Sequence, residues 1–388
     1  MLEHDMTALP DAIIIGGGPA GSSAAFHLAR AGRHVILLEA KPFPRIKVCG
    51  ECISPAAATI LEAMVPPSTL RAAGAHQVRD FVLRRGGRAH AWTMPAPTWV
   101  LSRAALDTLL LDAARAAGAI IRQPARARAV RMHDDRAQVE LDSGETLAAR
   151  IVVHADGQGR LDAAPPTPAR PGVVGFKCHF DPGPNPVAGL HMHAAPGAYL
   201  GVVQVEAALA TAAFVVRTEL VRRAGGSGDQ LLADLMPHYR PETRRSPWLT
   251  CGVARGGYQP GNHPRSFRIG NAAAAVEPVG GEGIGLALWA GSALERALSH
   301  SQPGNPPDAQ AILARAYRRR LALRSPACAA AAWTLMHDWP MRTVWPILST
   351  PRMKSALLAP WYALLGKSPA HAPPLFTHDS ATTAAPAR

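Results

Sequence analysis

The stretch Asp11-Ala-Ile-Ile-Ile-Gly16-Gly-Gly18-Pro19-Ala20-Gly21, continued through His34-Val-Ile-Leu-Leu-Glu39, decides the fold. Ile13, Ile14 and Ile15 are a short β-branched run suited to a strand buried on both faces. Gly16, Gly18 and Gly21 supply the G-x-G-x-x-G spacing. The first glycine allows a tight turn, the second lets a pyrophosphate reach the backbone, and the third lets a helix close on the strand. Pro19 and Ala20 open that helix, where a missing N–H costs nothing, and Gly32 ends it. Val35 to Leu38 form a second strand, with Glu39 at its tip. A carboxylate there accepts both ribose hydroxyls of an adenosine and repels a 2′-phosphate. The glycines alone would also suit a Gly-rich turn in an unrelated α/β protein. With the strand before, the helix after and the acid at the right distance, they indicate a dinucleotide site.

Outward from this stretch, the 388 residues suffice for one large core or two fused ones. A hydrophobic content of 48% with 18% charged residues indicates a globular chain. The longest apolar runs, Pro326–Met336 and Ala356–Leu365, are too short to span a bilayer. Acidic residues stand at the N-terminus where a signal peptide would carry bases, and five cysteines make no disulfide framework, so a cytoplasmic location is expected. The net charge of +13 is almost wholly arginine. Basic runs and nucleic-acid module signatures are both missing, so nucleic acid is not an expected partner. A dianionic cofactor accounts for part of the charge, and peripheral contact with a membrane stays open.

A Pro-rich loop runs from Lys41 through Arg45, Lys47, Cys49, Gly50, Glu51 and Cys52 to Pro55. Val78–Leu83 and Ala89–Trp92 are expected to form a hairpin across Gly86-Gly87, and Leu101-Ser-Arg103 opens a helix. Ile151-Val-Val-His is a further buried strand. Residues 161–172 are rich in Pro and Ala and mark a boundary. Beyond it, Val173–Phe180, Ala198–Val205 and Thr211–Val216 alternate as an antiparallel sheet. Arg222–Gly228 reads as a loop and Gln230–Tyr239 as a helix.

Three further stretches match one family. They are Leu101-Ser-Arg103-x-x-Leu106-Asp107-x-x-Leu110, Ala155-Asp156-Gly157, and Arg268-Ile-Gly270-Asn271-Ala-Ala through Pro278-x-x-Gly281-x-Gly283-Ile284-Gly285. With the glycine motif, these make the chain over residues 9–300 resemble FAD-dependent oxidoreductases of the geranylgeranyl reductase and aromatic hydroxylase superfamily. The resemblance implies a Rossmann-like α/β FAD-binding domain with a parallel sheet, an inserted mainly antiparallel substrate domain and a helical C-terminus. The expected FAD domain is discontinuous, over 1–77, 98–165 and 250–300. The substrate domain would cover 78–97 and 166–249, the helical segment 301–366, and a disordered tail 367–388.

The same resemblance implies the cofactor contacts. Arg103 would meet the FAD phosphates, Asp156-Gly157 would lie beside the pyrophosphate, and Asn271 at the ribityl chain. Gly281, Gly283 and Ile284 would start a helix facing the flavin's pyrimidine end, with Ala40, Arg45 and Gly50 completing the set. Free N–H groups at such a helix start stabilise negative charge on a reduced flavin. Two positions depart from the family pattern: Asn271 stands where aspartate is usual, and Gly159 where serine is common.

Cys49-Gly-Glu-Cys52 lacks the partner ligands of a zinc site, and no second nucleotide fingerprint supports a disulfide reductase. The resemblance instead makes Cys49 an active-site wall residue and Cys52 a packed cysteine at a helix start. Pro196-Gly-Ala-Tyr199 is similar to the family's P-x-x-Y channel stretch, which makes Tyr199 a pocket candidate. His191 and His193 share a strand face but have no third ligand, so no metal is expected. A halogenase is disfavoured because Trp-x-Trp-x-Ile-Pro is missing. An electron carrier without its own substrate is disfavoured because a second sheet has no purpose in it. The expected activity is reduction of an isoprenoid-like or other lipophilic alkene, with NAD(P)H as a transient donor. Oxygenation of an aromatic or lipophilic substrate with NAD(P)H and O2 is the alternative.

Overall fold

The computed structural model describes residues 9–158, 161, 169–182, 188–235, 243–302 and 304–364. Gly159 and the expected tail at 367–388 lie outside these residues, as do positions 236–239 of the expected Gln230–Tyr239 helix.

Strand β1 (Ala12–Ile15) feeds helix α1 (Pro19–Arg30) and strand β2 (Val35–Leu38). After the Pro-rich loop come β3 (Cys52–Ile53), α2 (Pro55–Met64) and α3 (Pro67–Ala72). A long hairpin, β4 (His76–Arg85) and β5 (Arg88–Val100), precedes α4 (Arg103–Ala116) and β6 (Ile120–Arg122). Next is a meander of β7 (Ala127–Met132), β8 (Ala137–Leu141) and β9 (Thr146–Ala149), and then β10 (Ile151–His154). The second half opens with β11 (Ala169–Phe180), β12 (Leu190–Ala195), β13 (Ala198–Glu206) and β14 (Leu209–Arg217). It continues through α5 (Thr218–Arg223), α6 (Gly228–Leu235), β15 (Leu249–Ala254) and β16 (Ser266–Arg268). Four helices close it: α7 (Gly283–His300), α8 (Pro306–Met336), α9 (Asp338–Ser349) and α10 (Pro351–Leu364).

The first sheet runs β16-β10-β1-β2-β6 and is parallel throughout. Its centre is the isoleucine run, and the period of two divides it between two cores. Ile14 faces α1, α4 and α7, while Ile13 and Ile15 face the β7–β9 meander. The second sheet has eight strands in the order β15-β11-β14-β13-β12-β4-β5-β3. One of its faces is sealed by α5 and α6 through Phe176, Phe214 and Leu231. The opposite face carries Met192, Tyr199, Val215 and Val253 and packs beside α8 and α9. Helix α8 bridges the halves, burying Leu313 and Tyr317 in the first core and Ala332 and Met336 against the second sheet. Among the described residues, no helix is long and apolar enough to cross a membrane.

Three local expectations change. Cys52 does not begin a helix: it lies in β3, paired with Val100, because Pro55 sets the helix start at N1. The hairpin strands run well past the apolar stretches that revealed them, and β5 stays paired with β4 as far as Val100 across a register shift between Val78 and Asp80. Arg222 belongs to α5 rather than to a loop, its turn led by Glu219 at the positive helix end.

Candidate active site

The two sheets enclose a cavity of about 580 Å³. The glycine motif forms one end of it. Gly16, at φ +108°, and Gly21 serve packing: a Cβ on Gly16 would lie 2.6 Å from Ala155 O, and one on Gly21 only 1.8 Å from Gly16 O. Gly18 faces the cavity with Pro19 and Ala20. The atoms nearest to a Cβ placed there are Lys47 Nζ at 3.9 Å and an Arg103 guanidinium nitrogen at 4.0 Å. No side chain caps α1.

Glu39 is buried, and its carboxylate accepts from Gly17 N (2.8 Å), Lys41 N (3.0 Å) and Arg45 Nη2 (3.0 Å). Arg45 and Ala40 lie on this acid's side and do not line the cavity, nor does Asp156. Gly157 does line it, following Asp156 at the C-terminal end of β10. Arg103 is the first residue of α4, which Ser102 caps by accepting from Ala105 N. Its guanidinium donates to both Asp107 oxygens at 2.7 Å. Burial opposes that charge, but the Asp107 carboxylate outweighs it and raises the arginine's pKa. Lys47 is pushed the other way, to about 8, first by burial and then by Arg103 and Arg45.

Asn271 stands exposed in a short turn after β16 and lines the cavity, with Gly281, Gly283 and Ile284 beyond it. Gly281 takes φ +64°, the left-handed turn that aims the start of α7 into the cavity. That helix also has no side-chain cap, so its first N–H groups are left for another acceptor.

Around the middle of the cavity stand Cys49, Gly50, Cys52 and Cys251. Cys49 Sγ accepts from Glu51 N at 3.3 Å, and Cys52 Sγ donates to Gly50 O at 3.3 Å. Tyr199 is buried in the wall and donates to Glu277 Oε1 at 3.1 Å. His191 and His193, 6.4 Å apart between ring centroids, point to the side of β12 away from Leu190 and Met192, which line the cavity.

Sequence reasoning missed the most connected group in this region, Glu51. Fully buried and held at φ +58°, it accepts from Arg103 N (2.7 Å), His179 Nε2 (2.7 Å), Lys177 Nζ and Thr211 Oγ1. Burial alone would raise its pKa; His179 and Lys177 override this and hold it at about 2. The available signal was Lys177 and His179 at period two on a strand otherwise apolar, a pattern that also describes a solvent-facing edge.

The polar groups of the first half suit a dinucleotide end to end. A buried acid waits at the β2 tip, two crowded cations face a side-chain-free wall at Gly18, and two uncapped helix starts converge on one cavity. Residues 10–161 match the FAD binding domain family. The chain is an FAD-dependent oxidoreductase with an FAD binding domain over these residues, and it is similar to proteins of the geranylgeranyl reductase and aromatic hydroxylase superfamily. The menaquinone reductase of Mycolicibacterium smegmatis is 29% identical over 316 residues, 74% of this chain and 75% of that protein. A digeranylgeranylglycerophospholipid reductase of Sulfolobus acidocaldarius is 52% identical over 48 residues, 12% of this chain and 11% of its own. The fold is shared with PqsL of Pseudomonas aeruginosa, solved with 2-aminobenzoylacetate. Its TM-score is 0.73 at 20% identity, covering 87% of this chain and 99% of that one.

Proposed function

We propose that this flavoprotein reduces a carbon–carbon double bond in a lipophilic, isoprenoid-like molecule, with NAD(P)H as a transient electron donor. The observation that carries the reading is the chemistry of the cavity wall. Among the described residues, the second sheet contributes Phe81, Leu190, Met192, Tyr199, Val215 and Val253, with Thr98 and Thr250, and no charged side chain, whereas Lys47, Glu51 and Arg103 all lie on the flavin side. A wall of this kind gains free energy only from apolar surface, about 25 cal/mol per Å² removed from water. The names of the menaquinone and digeranylgeranylglycerophospholipid reductases point to the same substrate class.

Bound FAD supplies the two-electron chemistry. Glu39 would hold the adenosine ribose, Gly18 with Lys47 and Arg103 the pyrophosphate, and Asn271 the ribityl chain, and the N–H groups at the start of α7 would stabilise negative charge on the reduced flavin. Tyr199 commits its hydroxyl to Glu277, so its role in the cavity is the apolar ring. Cys49 lines the cavity and would be the proton donor to the substrate carbon. A substrate of this class resides in a bilayer. The tryptophans Trp333 and Trp339, exposed at the turn between α8 and α9, offer a peripheral contact at a cytoplasmic membrane face.

Anaerobic incubation of reduced holoenzyme with menaquinone or geranylgeranyl diphosphate, followed by mass spectrometry, tests the proposal. The expected product has gained two hydrogens, and Cys49→Ala slows its formation by about tenfold or more at unchanged FAD content. A turnover that requires O2 and adds one oxygen atom refutes it.

A further inference from the structure

The Glu51 cluster joins the two halves of the molecule at the cavity, and nothing in the assignment of an FAD enzyme calls for it. On the sheet side stand Lys177 and His179 of β11 and Thr211 of β14, the last directly opposite His179 in register. Two residues earlier on the same face, Gly175 borders the flavin-side loop, where a Cβ would meet Cys251 Sγ at 3.3 Å and Val48 Cγ1 at an ordinary contact distance of 3.5 Å. On the flavin side, Glu51 accepts the first N–H of α4, at Arg103, and its own N–H donates to Cys49 Sγ. Glu51, Cys49, Gly50 and Arg103 all line the cavity, while Lys177 and His179 stand behind them.

Two features are costly for a merely structural tie. A non-glycine residue sits in the left-handed region, and a carboxylate and an ammonium are both fully buried. A pair of apolar side chains would hold a loop to a sheet without either cost. What such a pair could not do is tie the start of the Arg103 helix to the sheet through one rigid carboxylate, on the residue whose backbone N–H holds the Cys49 thiol, while presenting a balanced charge pair beside the cofactor.

We propose that Glu51 is a positioning residue, setting Cys49 and Arg103 against the flavin, and that Lys177 is the counter-charge that keeps this buried carboxylate from depressing the flavin's reduction potential. The proposal is independent of which substrate is reduced. Reduction adds negative charge to the flavin, so a lone nearby cation favours it and a lone anion opposes it. Glu51→Gln keeps the shape and leaves Lys177 uncompensated; Lys177→Met does the reverse.

The test is the midpoint potential of purified holoenzyme by dye equilibration, with the FAD dissociation constant measured in parallel. Glu51→Gln should shift the potential upward and Lys177→Met downward. The double variant should return to within the error of the unsubstituted protein. Shifts of the same sign, no shift in either, or a double variant displaced as far as the singles would overturn the proposal. Thr211→Val, which removes one donor and alters no charge, covers the case in which a charge variant fails to fold. It should weaken FAD binding by about threefold with the potential unchanged; an unaltered dissociation constant would count against Glu51 as the positioning group.

Discussion

Adding one methyl group at two glycines of the same motif should produce opposite failures. At Gly21 a Cβ would sit 1.8 Å from Gly16 O and 3.2 Å from Ala155 Cβ, and real Cβ atoms essentially never come within 3.0 Å of such neighbours. The obstruction is backbone, so Gly21→Ala can be accommodated only by parting β1 from α1, at a cost above about 3 kcal/mol. At Gly18 the φ of −71° and ψ of −178° are open to any residue, and the nearest atoms are the tips of two flexible cations at 3.9 and 4.0 Å. Gly18→Ala trades a helix N-cap preference against lower unfolded-state entropy, for a net change within about 1 kcal/mol. On the proposed placement of FAD the space it fills is the cofactor's, so FAD affinity should fall by about a hundredfold, or about 2.7 kcal/mol. Thermal melting of FAD-stripped protein and titration with FAD, followed by flavin fluorescence, separate the two. Gly21→Ala should lower the apo melting temperature by roughly 4 °C or more, and Gly18→Ala should leave it almost unmoved while losing FAD. Equal destabilisation by both, or full FAD affinity in Gly18→Ala, would refute the division of the motif into a packing glycine and a cofactor glycine.

Lys47 gives a pH signature. With its pKa lowered to about 8 in the free protein, and with its ammonium on the phosphates as proposed, FAD affinity should be flat below pH 8 and weaken by up to about tenfold per unit above it. Lys47→Met should remove the slope in a titration from pH 7 to 9.5. Asn271→Asp should retain FAD, since both side chains accept from ribityl hydroxyls, and lower the flavin potential through the added charge; an unchanged potential would place Asn271 away from the flavin. In flotation with anionic liposomes, the protein should rise with the lipid at low salt, and Trp333→Ser/Trp339→Ser should stay in the dense fractions; if the unsubstituted protein remains there as well, membrane contact is ruled out.

The features legible in the sequence were those whose physics is local. Gly16 to Gly21 and the Ser102-Arg103 helix start are local turns, and Glu39 follows the glycines at a fixed distance down the chain, so spacing alone reveals them. The isoleucine run was legible as a doubly buried strand because both its faces are apolar. Glu51 was not, because its partners lie 126, 128 and 160 residues away and the contact exists only once the two halves meet. Cys52 was misplaced for a related reason. A two-residue strand has no periodicity to detect, and only its pairing with Val100 and Trp99 defines it.

The order of the strands in the parallel sheet has a consequence for biosynthesis. Strand β1 emerges first from the ribosome, yet its neighbour β10 comes some 140 residues later, and β16 with α7 only after the whole second sheet has been made. Helix α7 packs along α1, with Gly291 against Ser23 and Ala24 so closely that any larger residue would collide. The nascent chain therefore carries its nucleotide motif for most of its synthesis without the wall that encloses it. Cofactor capture belongs to the completed chain, and a fragment ending before α7 should expose the apolar face of α1 and aggregate rather than hold FAD.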